Sequence, residues 1–263
     1  MVRSSLQNEI SYYPEKVVDS LNQKSPTSRI GVILPTYCEA DNIINIIHSI
    51  ESLEPTATIL VIDDSSPDNT ELIINNMQKT FSNIMLLKRS SKQGLGTAIR
   101  DGFAFLCSLP NPPDYIITMD ADHSHNPQDI SRLLEVATKG YDLVIGSRYC
   151  SQGQVKGWPL SRSMISKTAN SLTRFIINLP LKDFTSGFRC YSRKYIINAL
   201  PHLHSQTYEI QIETIRQAKL QRSKVVEIPI IFENRKKGKS KLTLTEITAF
   251  LEYIIKVLTR TFS

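Results

Sequence analysis

The chain has 263 residues, 41% of them hydrophobic and 21% charged, with a formal net charge of +6. That is an ordinary globular composition, long enough for one large or two small domains with a sizeable core. No stretch approaches the ~18–20 uninterrupted apolar residues of a bilayer-spanning helix, and the basic excess suits an anionic partner without saying which.

Residues 1–28 read as a polar leader with no apolar core of a secretory signal. Strands and helices then alternate. Arg29–Leu34 is an apolar strand and Ala40–Leu53 a helix. Thr58–Ile62 and Asp68–Phe81 form the next strand and helix, Ile84–Leu87 and Gly96–Ser108 the third pair. Tyr115–Met119 is a strand, Pro127–Lys139 a helix and Asp142–Ser147 a strand. This alternation predicts a mostly parallel sheet with helices on both faces, an α/β fold. The second half is less regular. Trp158–Leu179 reads as a helix carrying Arg162, Lys167 and Arg174 among apolar residues. Phe184–Tyr191 is a turn and strand, Tyr208–Lys219 a helix, Lys224–Phe232 a strand and Arg235–Lys241 a basic loop. Thr243–Arg260 sets Ile247, Phe250, Leu251, Ile254, Ile255 and Leu258 along one stripe.

The chemistry gathers at strand ends, where ligands of such sheets sit. Asp120 and Asp122 follow Tyr115–Met119. In extended backbone, residues two apart point to one side, so two carboxylates are presented together. Carboxylates that close repel, and a hard cation such as Mg²⁺ or Mn²⁺, itself holding a diphosphate, is the natural third party. His123 and His125 flank the pair. They read as outer or surface residues, because hard oxygen ligands suit such an ion better.

Pro35 to Glu39 leave the first strand, with Pro35 read as the strand's stop. Tyr37 offers a flat face for a base or sugar. Glu39 reads either as an acceptor for a nucleobase or ribose, or as an acid at the positive end of a helix. At the second strand's end Asp64 is the ribose or base candidate, and Asp68 a helix cap. Gly94 and Gly96 suggest a dinucleotide fingerprint, but its third glycine would fall on Ile99, so no nicotinamide site is expected. Lys92 beside them is placed to touch a phosphate. Arg148, Arg162 and Arg235 with Lys241 form three basic clusters suited to forked phosphate binding. Asp183 is either the one candidate base on the acceptor side or a turn cap. Cys38, Cys107, Cys150 and Cys190 lie too far apart for a metal or redox pair and read as reduced thiols. No aromatic platform or known module points to nucleic acid.

Taken in order, these stretches resemble the inverting family 2 glycosyltransferases of GT-A fold, and more narrowly the dolichyl-phosphate (polyprenyl-phosphate) mannosyltransferases. The shared residues are Pro-Thr-Tyr-x-Glu (35–39), Asp-Asp-x-Ser-Pro-Asp (63–68), Asp-Ala-Asp (120–122), Gly-Ser-Arg-Tyr (146–149), Gly-Trp-Pro-Leu-x-Arg (157–162), Thr-Ser-Gly-Phe-Arg (185–189) and Phe-x-x-Arg-x-x-Gly-x-Ser-Lys (232–241). The resemblance implies a Rossmann-like catalytic domain over residues 29–242, with 243–263 a C-terminal amphipathic helix packed on it. It implies that Pro35, Tyr37, Glu39, Ile62 and Asp64 hold the guanosine half of GDP-mannose. Asp120 and Asp122 would bind Mg²⁺ or Mn²⁺, with the Ala121 backbone near the donor. Arg148, Arg235 and Lys241 would contact donor or transferred phosphate, and Arg148, Arg162 and Ser166 the phosphate of a dolichyl or other polyprenyl acceptor. Asp120, Asp122 and Arg148 are thus the expected catalytic set. Ser124 stands where some relatives carry a metal-binding Gln.

The implied product is dolichyl β-D-mannosyl phosphate, used for glycan or protein glycosylation. Many relatives append transmembrane helices. This sequence ends after one amphipathic helix, like short forms that lie on the cytosolic face of a membrane, of the endoplasmic reticulum or of an archaeal or bacterial cell. Some of those use a small membrane-anchor subunit. The alternatives are a family 2 enzyme using UDP-glucose, and a nucleotide-binding scaffold subunit.

Overall fold

The computed structural model describes residues 29–235 and 244–259. Its centre is a seven-stranded sheet in the order β3-β2-β1-β4-β7-β5-β8. The strands are β1 (Ile30–Thr36), β2 (Thr58–Asp63), β3 (Ile84–Lys88), β4 (Tyr115–Thr118), β5 (Leu143–Ser147), β7 (Arg189–Ser192) and β8 (Val225–Pro229). Every neighbouring pair is parallel except those of β7, which runs antiparallel between β4 and β5. A two-stranded parallel ribbon, β6 (Gln154–Lys156) with β9 (Ile231–Glu233), stands apart from the sheet.

The central strands bury both faces, which is why they read as unbroken apolar runs. In β1, Val32 and Leu34 join one core while Ile33 joins the other. The first core is closed by α1 (Ala40–Leu53), α2 (Thr70–Met77) and α4 (Asp129–Thr138). In α1, Ile43, Ile46, Ile47 and Ile50 are fully buried, the spacing of one helical face. On the opposite face lie α3 (Leu95–Ser108), α5 (Leu160–Ile177), α6 (Arg193–Ala199), α7 (Ile210–Leu220) and α8 (Leu244–Leu258).

The strand order reverses between β1 and β4. β2 and β3 extend one way from β1, and β4 opens the other half. The crevice beyond the carboxyl ends of β1 and β4 is therefore the place where this topology seats a ligand. Both Pro35–Glu39 and Asp120–Asp122 emerge there.

Two sequence expectations need correction. Pro35 does not stop β1: the strand continues to Thr36, with Pro35 opposite Ile62. The Ile33 carbonyl faces β4 and the Thr36 carbonyl faces β2, so Pro35 turns its missing N–H to the β4 side. β4 pairs with β1 only as far as Ile33, and no ladder bond is lost. The expected strand Lys224–Phe232 is two strands, parted at Ile230. β8 stays with β5, while β9 leaves to pair with β6. Among the described residues no helix is long and apolar enough to cross a membrane.

Candidate active site

The turn after β1 is fastened to the turn after β2. The backbone N–H groups of Cys38, Glu39 and Ala40 donate in succession to Ser66 Oγ (2.9 Å), Thr70 Oγ1 (3.2 Å) and Asp68 Oδ2 (3.0 Å). Asp68 also accepts from the Thr70 N–H at the start of α2, so one carboxylate serves the first turns of two helices. Burial alone would raise its pKa; the Thr70 hydroxyl and these amides outweigh that and hold it below its ordinary value. Glu39 is buried and accepts from Asn42 Nδ2 at 2.8 Å. Tyr37 is half-buried and carries the Lys92 ammonium 4.2 Å from its ring centre.

Asp64 is buried and forms an ion pair with Arg89. Its other oxygen accepts from the N–H groups of Gln93 and Gly94, each at 3.3 Å. Ile62 lies fully buried just before it. Arg89 is a site residue that the sequence reading passed over. It follows β3, the one early strand whose end carries no acid, and so drew no attention. Its guanidinium also reaches Thr97 Oγ1 and the Gly94 carbonyl. Gly94 and Gly96 have a structural role, not a phosphate-cradling one. Gly94 adopts φ +98°, and a Cβ on either residue would strike the backbone of Ser205 or Gln206.

The acids after β4 differ in setting. The Asp122 side chain is 5% exposed and that of Asp120 39%. Asp122 accepts from the N–H (3.0 Å) and hydroxyl (2.5 Å) of Ser124 and pairs with Arg235 at 3.0 Å. Burial works to raise its pKa, but the Ser124 hydroxyl and the Arg235 charge prevail and keep the carboxyl ionised. Ala121 is buried between them.

His125 is buried beneath this turn and its Nδ1 accepts the Asp120 N–H at 3.1 Å. Burial lowers its pKa more than the nearby acids raise it. His125 is thus a neutral prop whose Nε2 carries the proton, packed against Phe188 and Phe232. His123 is half-buried with φ 62°.

Among the described residues no three His, Cys, Asp or Glu side chains gather as a complete metal cage. A half-open carboxylate beside a buried, ionised one instead fits an Mg²⁺- or Mn²⁺-sized ion. Such an ion takes one or two protein carboxylates and completes its shell with phosphate oxygens and water.

A cluster around Arg148 lies next to these acids. Arg148 donates to both oxygens of Asp183 at 2.7 Å and to Thr185 Oγ1 at 2.6 Å. Arg148 and Asp183 are both buried. Burial pulls the Arg148 pKa down and the Asp183 pKa up; their mutual attraction overrides both effects, so each stays charged. Asp183 is therefore the anchor of Arg148 and not a base.

Arg162 lies over the Trp158 ring at 4.2 Å. Its pKa is lowered by burial first, then by the positive charges of Arg235 and Arg148. Three guanidinium groups thus share one neighbourhood. Ser166 Oγ accepts from the Tyr149 hydroxyl at 2.8 Å. Beside them an open depression is lined by Arg148, Lys167, Asn170, Arg174 and Lys182. Lys241 lies outside the described residues. Burial pushes the Cys107 thiol up to about 11 and the Cys190 thiol higher still, which removes both as nucleophiles.

A family model described as glycosyl transferase family 2 matches residues 31–199. A polyprenol monophosphomannose synthase of Mycolicibacterium smegmatis is 38% identical over 224 residues, covering 84% of each chain. An undecaprenyl-phosphate mannosyltransferase of Micrococcus luteus is 37% identical over 218 residues, 82% of this chain and 88% of the relative. Among solved structures, a glucosyl-3-phosphoglycerate synthase from Mycobacterium tuberculosis, in complex with Mn²⁺, UDP and phosphoglyceric acid, superposes with a TM-score of 0.63. It is 19% identical and covers 94% of this chain and 83% of its own. A mannosyltransferase from Pyrobaculum calidifontis, in complex with GDP-mannose and Mn²⁺, gives 0.59 at 12% identity, covering 94% and 69%.

Proposed function

The chain belongs to glycosyl transferase family 2 and is a glycosyltransferase of GT-A fold, and on that footing we propose that it transfers mannose from GDP-mannose to the phosphate of a dolichyl or other polyprenyl lipid, with inversion. The two relatives named above act, by their names, on polyprenol-type carriers. The observation that carries the reading is the closeness of Asp120 and Asp122 to three arginines, with Asp183, the one candidate base the sequence offers, locked onto Arg148.

The nucleoside would lie against Pro35, Tyr37, Glu39, Ile62 and Asp64. Asp120 and Asp122 would hold a divalent ion, and Arg235 and Lys241 would meet the donor phosphates. The ion, when bound, would supply positive charge to the leaving diphosphate. Arg148 and Arg162, with Ser166, would fix the acceptor phosphate. A phosphate monoester has its second pKa near ~6, so it arrives as a dianion and its oxygen needs no deprotonation. That oxygen attacks the anomeric carbon as the bond from carbon to the GDP oxygen breaks. A sugar hydroxyl would instead require a positioned base. Attack opposite the leaving group gives the β-linked mannosyl phospholipid. The exposed apolar side chains Leu160, Met164, Ile165 and Phe175 on α5, next to Lys167 and Arg174, would rest on a membrane surface and bring the lipid to Arg162. A small membrane-anchor subunit would add to that hold.

The test is incubation of purified protein with GDP-mannose, Mn²⁺ or Mg²⁺ and a polyprenyl phosphate. Lipid-linked β-mannose is the expected product, and Asp120→Ala should cut its rate by on the order of 10³-fold. Chelation should do the same. Transfer from UDP-glucose alone would overturn the donor assignment. Full activity of Asp120→Ala would overturn the mechanism.

A further inference from the structure

The helix α5 has a different character on each side. Asn170, Thr173 and Ile177 turn inward and are buried. Leu160, Met164 and Phe175 stand exposed. Arg162, on one flank, feels the charges of Arg235, Arg148 and Asp122. The other flank is basic and takes no part in the chemistry proposed above. At 3.6 residues per turn, Lys167 and Arg174 are turned roughly 120–140° from Arg162 about the helix axis. They open onto a depression of about 530 Å³, walled further by Ser163, Ser171 and Lys182.

This hollow gathers cations and no acid. No carboxylate lines it. Lys167, Arg174 and Lys182 are exposed, and none of the ion pairs among the described residues uses them. Glu227, next to the Lys182 backbone, gives its two oxygens to the N–H groups of Lys182 (2.9 Å) and Asp183 (2.7 Å). Arg148 also borders the hollow, but its Nε and Nη2 are engaged by Asp183 and Thr185. Three like charges around one hollow repel one another, and an anion seated among them relieves that repulsion. Ser163 and Ser171 add hydroxyl donors. Ammonium, guanidinium and hydroxyl donors together suit a phosphate.

The apolar face decides the source of that phosphate. Met164 lies one turn from Lys167, and Phe175 one turn from Ser171, so exposed apolar side chains adjoin the mouth of the hollow. A free anion gains nothing from them. A phospholipid offers acyl chains to the one face and a phosphate to the other.

We propose that this hollow binds the headgroup phosphate of an anionic membrane phospholipid, a lipid the reaction does not consume, and that the clasp sets the roll of α5 on the bilayer so that Arg162 faces the acceptor. The assignment rests on the membrane-surface part of the function proposed above, not on the choice of sugar donor.

The test measures cosedimentation of the full chain with vesicles, in the absence of sugar nucleotide. One set of vesicles is phosphatidylcholine alone and the other phosphatidylcholine mixed with phosphatidylglycerol. The triple variant Lys167→Gln, Arg174→Gln and Lys182→Gln is compared with wild type. A control triple, Lys79→Gln, Lys194→Gln and Lys224→Gln, removes the same charge from exposed positions elsewhere. The first triple should bind phosphatidylglycerol vesicles about tenfold or more weakly, and neutral vesicles within about twofold of wild type. The control triple should stay within about twofold on both.

Equal losses in the two triples would overturn the proposal, since they would report net charge and no site. So would wild-type protein that binds inorganic phosphate through these residues in calorimetry while the first triple keeps its hold on phosphatidylglycerol vesicles. That result would mark a site for a free anion. A tenfold rise of KM in the first triple for a short-chain polyprenyl phosphate, assayed without vesicles, would also overturn it by giving the hollow to the acceptor. Vesicle binding is read without substrate, so wild-type protein that is inactive with GDP-mannose would sink the mannosyl reading alone.

Discussion

Asp183 and Arg148 show how far a residue's role depends on a partner the sequence keeps distant. The two are 35 positions apart and are brought together by the segment that enters β7. Removing one partner of a buried ion pair leaves the other charge uncompensated, so Asp183→Ala should cost about 3–5 kcal/mol at pH 7. Urea denaturation would measure the loss. The folded-state pKa of Asp183 lies below its ordinary value of 3.8. A depressed carboxyl pKa contributes stability that is fully present above the unfolded value and fades as pH falls through the folded one. The gap between wild type and variant should therefore be full near neutrality and narrow below about pH 4. A gap that stayed constant to pH 2 would contradict the pairing. Sequence alone left Asp183 open between base and cap, because nothing local marks an acid whose counter-charge lies in another strand's exit. The same holds for Arg89. By contrast the placement of Asp120 and Asp122 at the end of β4 is legible in the sequence, since their spacing and the strand before them lie within eight residues.

At the level of elements, strands and helices with strong local patterns read well. The bounds of α1 match its expected range of Ala40–Leu53, and five early strands fall within two residues of their expected ends. Short or edge elements did not show. β6 and α6 span three and seven residues, too few for a periodic signal. The division of Lys224–Phe232 comes from β5 ending at Ser147, which frees the chain beyond Pro229 to join β6. Gly96 illustrates packing that only the assembled fold reveals. The start of α3 approaches residues 205–206 closely enough for the Gly96 N–H to reach the Gln206 carbonyl at 2.8 Å. Gly96→Val should destabilise the protein by about 1–3 kcal/mol, since a backbone neighbour cannot yield as a side chain can. Thermal unfolding at fixed concentration would register this as a drop of several degrees. An unchanged midpoint would refute the close approach.

For the whole molecule, one face of α5 joins apolar and basic side chains in the open. Phe175 and Leu160 are each 84% exposed and Met164 69%, beside Lys167 and Arg174. If this face meets a bilayer, cosedimentation with anionic vesicles should weaken about fivefold or more for the pair Met164→Asp and Phe175→Asp, from lost apolar burial and added repulsion. GDP affinity in solution should hold steady. Vesicle binding that the double variant leaves intact would place the membrane contact elsewhere. The opposite end of the cleft has another character. Three side chains of the turn after β2 already grip three successive amides of the turn after β1. The half proposed for the nucleoside is thus a ready-made socket: capturing a nucleotide there would freeze little of the chain, little entropy would be forfeited on encounter, and discrimination among bases would fall mainly on how long each one stays.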